Sequence, residues 1–170
     1  MIYLIWLLRI IHIVSGVFWV GGVLIMTFFI SPTIGATAEA GQKFIGHLMN
    51  NLKFSSRMSA AAGLTMLAGL ILYSLDARAG AAWLKSGQAV GLNIGAGFAF
   101  LGFAFGLMLG RATKAMAQLG AQFKGKPTPA QMTQMQTIQK QQQTYSIASA
   151  VTLILAVVFM AIARYLGMGL

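Results

Sequence analysis

The run IYLIWLLRIIHIVSGVFWVGGVLIMTFFI, Ile2 to Ile30, decides the architecture. Its only basic side chains are Arg9 and His12, and it has no acid. A helix that crosses a bilayer needs ~20 apolar residues, and this run is longer. It also exceeds the apolar core of a secretory signal, and no clear cleavage site follows it. It therefore reads as a first membrane span over about 3–30. Ser31-Pro32 should stop that helix, because proline lacks a backbone donor and restrains the residue before it.

Three more segments pass the same test, at about 56–75, 88–111 and 144–166. The composition agrees: 58% of the 170 residues are hydrophobic and 8% charged, against ~25% charged in soluble domains. The expected fold is all-α, a single integral membrane four-helix bundle over 1–170 in the plasma (inner) membrane. With no cysteine, disulfides, thiolate metal sites and covalently attached haem are excluded. Glu39 and Asp76 are the only acids and neither lies in a span, so carboxylate-based hydrolysis, group transfer and ion coupling are not expected.

The net charge of +10 does not point to nucleic acid, because the basic residues gather at the ends of spans. There they set topology and touch anionic lipid. Lys43, Lys53 and Arg57 lie in the first loop region. Arg111, Lys114, Lys124, Lys126 and Lys140 lie in the third, whereas the middle loop has only Arg78 and Lys85. The first and third loops are expected in the cytoplasm, with both termini on the opposite side.

The loops carry structure of their own. Over 37–52, Phe44, Ile45, Leu48, Met49 and Leu52 share a helical face opposite Lys43, His47 and Asn50, with Thr37 as N-cap. This is the pattern of an amphipathic helix on the cytoplasmic surface. Over 112–143 the third and fourth spans should extend as an antiparallel hairpin. Ala112, Met116, Leu119 and Phe123 would face Met132, Met135 and Ile138. Thr128 should cap the returning helix, with Pro129 in its first turn. Within the third span, Gly87, Gly91, Gly95, Ala99, Gly102, Gly106 and Gly110 form a small-residue stripe suited to close helix packing or to a flat ligand.

His12, Ser15, Gly16, Trp19, Gly22 and Met26 lie on one face of the first span and should point into the bundle. His12 would sit roughly 13 Å deep at ~1.5 Å per residue. An imidazole at that depth needs a partner. A hydrogen bond to a neighbouring helix, a metal or haem bond, and proton handling all satisfy that need. His47 belongs to the surface helix at a different depth, so the two histidines should not share one haem. Met66 lies at a depth that suits a second ligand to the same centre, although packing also explains it. Met132 and Met135 resemble a copper-type pair, yet their spacing equally fits a helical stripe. Arg9, Asn93 and Arg164 fall near the same outer level. The candidate binding site read from the residues is therefore His12, Arg9, Asn93 and Arg164, with His12 as the metal ligand and Met66 as its partner where a metal centre is bound.

The residues L-x-x-I-I-H-I-V-S-G-V-F-W-V-G-G followed by F-F-I-S-P-T resemble the first span of the copper-resistance D (CopD) superfamily of four-span domains. HemJ-type protoporphyrinogen oxidases carry a similar early histidine followed by tryptophan and glycine. The resemblance implies a haem or copper site at His12 and, with it, Trp19 and Gly22. The expected function is a small b-type haem protein with an electron-transfer or accessory role in a membrane redox complex. A copper-handling transporter and a non-catalytic subunit of a larger complex are the alternatives. The expected partners are the lipid bilayer and either further copies of the chain or a larger membrane complex.

Overall fold

A computed structural model describes residues 2–123 and 125–166; Lys124, one of the basic residues of the third loop, lies outside them. The described residues are mostly helical, joined by short turns, without strands. The order is α1 (Ile2–Ile25), a π-helical segment (Met26–Ile30), α2 (Ser31–Ala36), α3 (Ala38–Asn50), α4 (Phe54–Ala77), α5 (Ala81–Leu84), α6 (Gly87–Gly120), α7 (Pro129–Ile162) and a closing 3-10 turn (Ala163–Tyr165). Four stretches are long and apolar enough to cross a membrane: Ile2–Ala36, Phe54–Ala77, Gly87–Gly120 and Pro129–Tyr165.

The first stretch corrects the expected stop at Ser31-Pro32, because the chain stays helical to Ala36. The π-helical segment explains the continuation. The Ser31 N–H donates to the Met26 carbonyl, five residues back, which widens the helix just before the proline. Pro32 then occupies the opening turn of α2, where a missing donor costs little. The helix ends instead at Thr37, whose φ of −99° and ψ of 5° leave the helical region. Thr37 stands at the N-cap position of α3 without capping it. Its hydroxyl donates 2.7 Å back to the Thr33 carbonyl.

The chain then folds back on itself. A Cβ on Gly41 would lie 2.6 Å from the Ile34 carbonyl oxygen, so only glycine permits this approach of α3 to α2. Ile45, Leu48 and Met49 are half-buried, whereas Phe44 and Leu52 are exposed. Lys43 and Glu39 pair at 2.8 Å on the open face, a contact worth only a few tenths of a kcal/mol on an exposed helix.

The four long helices form two antiparallel hairpins, α1 with α4 and α6 with α7, joined mainly along α1 and α7. Trp19 of α1 is buried where the hairpins meet, against Ala61 and Ala62 of α4 and Leu153 of α7. Its ring meets Phe103 of α6 edge to face at 6.2 Å. Two hydroxyl bonds reinforce the packing. Thr27 and Ser146 pair at 2.7 Å between α1's π segment and α7. Ser149, fully buried, donates 3.0 Å to the Gly102 carbonyl.

The small-residue stripe of α6 is only partly used. Gly91, Gly95, Ala99 and Gly102 are buried, while Gly106 and Gly110 are exposed, with nothing within 4 Å of their Cβ positions among the described residues. The contact with α7 follows a seven-residue repeat instead. Positions 91, 98, 105, 112 and 119 and positions 95, 102, 109 and 116 are all buried or half-buried. A strict heptad drifts ~20° per repeat around a straight helix and wraps its partner left-handedly, which carries the seam away from residues spaced by four.

Each helix of this second pair has 34 residues, or about 50 Å at ~1.5 Å per residue, against ~30 Å of hydrocarbon. The connected end of the pair is a hairpin extension with its own small core. Ala112, Leu119 and Ile138 are buried there, with Met116, Phe123 and Met135 packed around them. Met132, expected in that stripe, is 45% exposed. Thr128 starts α7 with a reciprocal box: its hydroxyl accepts from Gln131 N–H, and the Gln131 side chain accepts from Thr128 N–H at 2.9 Å. Thr128→Ala should lower stability by ~1 kcal/mol, read as earlier proteolytic nicking at the tip of the extension. Unchanged cleavage would show that the cap does not hold this end.

Candidate functional site

The sequence of α1 sorts its own faces. Ile2, Leu7, Ile10, Ile13, Val14, Val17 and Phe18 are exposed, and the intervening His12, Ser15, Gly16 and Trp19 are half-buried or buried against α4 and α7. In lipid, apolar helix faces gain nothing by associating with one another, so small and polar residues gather where helices meet.

His12 is held by the backbone of α4. Its Nδ1 lies 2.8 Å from the Thr65 carbonyl oxygen. That carbonyl is reachable because Gly69, one turn on, lacks a side chain. A Cβ there would stand 2.8 Å from His12 Cε1 and 3.0 Å from Nδ1. Beneath the ring, Thr65 Oγ1 lies 2.9 Å from Ser15 Oγ and 2.8 Å from the Ala61 carbonyl, and its single proton serves one of them at a time. Ser15 in turn donates to the Ile11 carbonyl. The result is a short polar ladder across an otherwise apolar interface.

This geometry sets the tautomer of the neutral ring. A carbonyl oxygen only accepts, so Nδ1 carries the proton, and in the neutral ring Nε2 keeps its lone pair. Nε2 has no hydrogen-bond partner among the described residues. No enclosed side-chain nitrogen or oxygen among them lacks a partner either, so Nε2 reaches the surface of the helix pair. Fixing one ring nitrogen on a backbone carbonyl and freeing the other is the arrangement that orients a metal-binding histidine.

The other expected site residues divide. Trp19 and Met66 come together, Met66 packing against the Trp19 cluster. Trp19 is seven residues from His12 along α1, ~10 Å by helix rise. Arg9, Asn93 and Arg164 are all exposed. Arg164 lies over the ring of its neighbour Tyr165 at 5.2 Å. No hydrogen bond or ion pair among the described residues joins these three to His12. Asn93, expected as a buried polar group, sits about 200° around α6 from Gly91, since each residue turns ~100°, and so faces outward. His47 is exposed on α3, away from His12.

Of the methionine pair, Met132 is exposed and Met135 packs in the hairpin core. Among the described residues no three His, Cys, Asp or Glu side chains cluster. The residues that position His12, namely Thr65 and Gly69, were missed by sequence reasoning, whereas Ser15 was read only as facing the bundle. The available signal was the pairing of hydroxyl residues in two neighbouring spans, since polar groups in lipid seek one another. Comparison with models of known protein families, with curated proteins and with solved structures finds no match.

Proposed function

We propose that this four-span protein binds haem b through His12 and serves electron transfer in a membrane redox complex. The observation that supports this is the His12 imidazole, fixed by its Nδ1–H on the Thr65 carbonyl with Nε2 left available. The likeness of His12–Gly22 to the CopD superfamily and HemJ-type proteins supports the same reading. Haem would supply one-electron chemistry. The chain's part is to orient the ligand: the Thr65 carbonyl sets the tautomer, Gly69 leaves room for the ring, and the Ser15–Thr65 contact holds α1 against α4.

In this reading the first and third loops face the cytoplasm and both termini the other side. The apolar face of α3, with Phe44 and Leu52 exposed, lies in the cytoplasmic headgroup layer.

The test is an absorption spectrum of the detergent-purified protein, oxidised and reduced, after expression with ample haem. A Soret band and a reduced b-type α-band are expected. Both should vanish in His12→Ala and weaken severely in Gly69→Ala, whose new methyl displaces the ring. A colourless wild-type protein refutes the reading. Elemental analysis for copper then decides between the metal alternative and a purely structural histidine.

A further inference from the structure

At the base of the hairpin extension, an open surface groove of about 410 Å³ lies over the α6–α7 contact. Met108, Arg111, Ala112 and Ala115 line it from α6, and Gln141 and Tyr145 from α7. The two alanines make the room, since larger side chains there would close the groove. The helices are pinned beside it by Gln142, which donates 3.2 Å to the Thr113 hydroxyl.

The depth of the cleft follows from helix rise. From Gly87, ~20 residues cross the hydrocarbon, which brings α6 to the boundary near Met108. Arg111 stands about one turn beyond, at headgroup level. On α7, Tyr145 lies at the same boundary and Gln141 one turn outside it. The inner lip of the cleft is thus apolar and its outer part carries a guanidinium, a carboxamide and a phenol.

None of those three polar side chains has a hydrogen-bond partner among the described residues. Arg111 also has no counter-charge among the described residues. The chain has two acids. Glu39 pairs with Lys43, and Asp76 lies at the opposite end of the α1–α4 hairpin, in the last turn of α4. An arginine with its fork of donors, flanked by an amide and a hydroxyl, matches a phosphate group, which accepts from several directions at once.

We propose that this cleft binds the phosphate of an anionic phospholipid, with Arg111 as its principal contact, Gln141 and Tyr145 as supporting donors, and the acyl chains passing Met108. The assignment depends neither on the sidedness of the protein nor on His12.

The experiment is native mass spectrometry of the full chain released from bilayers of phosphatidylcholine with a minority of phosphatidylglycerol. One phosphatidylglycerol should be retained per chain. Arg111→Gln should reduce retention about tenfold, the scale of one lost charge-assisted hydrogen bond. The pair Gln141→Leu with Tyr145→Phe, which leaves the charge intact, should reduce it about threefold. Arg57→Gln removes the same charge from α4 near the same face and should change nothing. Equal losses in Arg57→Gln and Arg111→Gln would mean diffuse attraction and overturn the proposal. So would retention unaffected by Arg111→Gln. Inorganic phosphate at millimolar concentration separates the sources. Displacement of the lipid shows that the cleft also takes free phosphate. Retention shows that the lipid tail is part of what it reads.

Discussion

Gly102→Leu should separate α6 from α7 and cost about 3 kcal/mol, the upper end of the range for overpacking a filled interface. A Cβ alone at this position would meet Leu153 Cγ at 2.7 Å and Cδ2 at 2.8 Å. Leu153 is 1% exposed and has no free direction in which to move. The bond from Ser149 to the Gly102 carbonyl would lengthen as well. Reversible unfolding in mixed micelles measures the effect. Two companions make the result specific. Gly106→Leu, four residues on and facing open space, should stay within ~0.5 kcal/mol of wild type. Leu153→Ala added to Gly102→Leu should recover part of the loss, because the pair roughly conserves volume across the contact. If Gly102→Leu and Gly106→Leu behave alike, the seven-residue seam is wrong.

The second large effect is expected at Trp19. It is 6% exposed and touches all three other long helices. Removing a buried aromatic side chain costs ~3–5 kcal/mol in a soluble core. Part of that cost is transfer from water, which falls away where the unfolded helix is already in lipid. The cavity remains, so Trp19→Ala should cost about 3 kcal/mol, the lower end of the range. The loss should fall on the junction between hairpins. Cross-linking between α1 and α7 should therefore weaken, while cross-linking between α6 and α7 persists. Trp19→Phe keeps a ring against Phe103 and should recover more than half. A loss below ~1 kcal/mol for the alanine variant would mean that the hairpins are held elsewhere.

These two residues show how unevenly the fold could be read beforehand. The four long apolar helices were legible because length and composition alone decide whether a segment can cross lipid. So was the inward face of α1, since the exposed Ile, Leu and Val side chains leave only one other side. Proline at position 32 misled, because its cost depends on the helix just before it, and the π-helical turn over 26–30 removes that cost. The α6 stripe misled at Gly106 and Gly110, because spacing by four and wrapping by seven coincide for two turns and then diverge. Asn93 fell outward for the same reason, being on the wrong side of the true seam.

The candidate site was legible as a residue type and not as a contact. His12 stands out because ionisable groups are rare in spans. Its partner is a backbone carbonyl, exposed by the absence of a side chain at Gly69. No residue letter marks an acceptor that every residue carries. The expected grouping of His12 with Asn93 and Arg164 assumed that equal depth means proximity, whereas depth leaves open which hairpin a residue belongs to.

The pairing of the helices has a bearing on how the protein is made. Each close partnership joins spans that follow one another in the chain, α1 with α4 and α6 with α7. The first pair can zip together on leaving the ribosome, before the second has been synthesised. Nothing in the topology must wait for a distant segment or thread past one already placed, and the closure entropy of each step is small. Only the last event, the meeting of two finished halves around Trp19, requires the whole polypeptide. That makes the bond between halves, rather than the spans themselves, the stage at which biogenesis succeeds or fails.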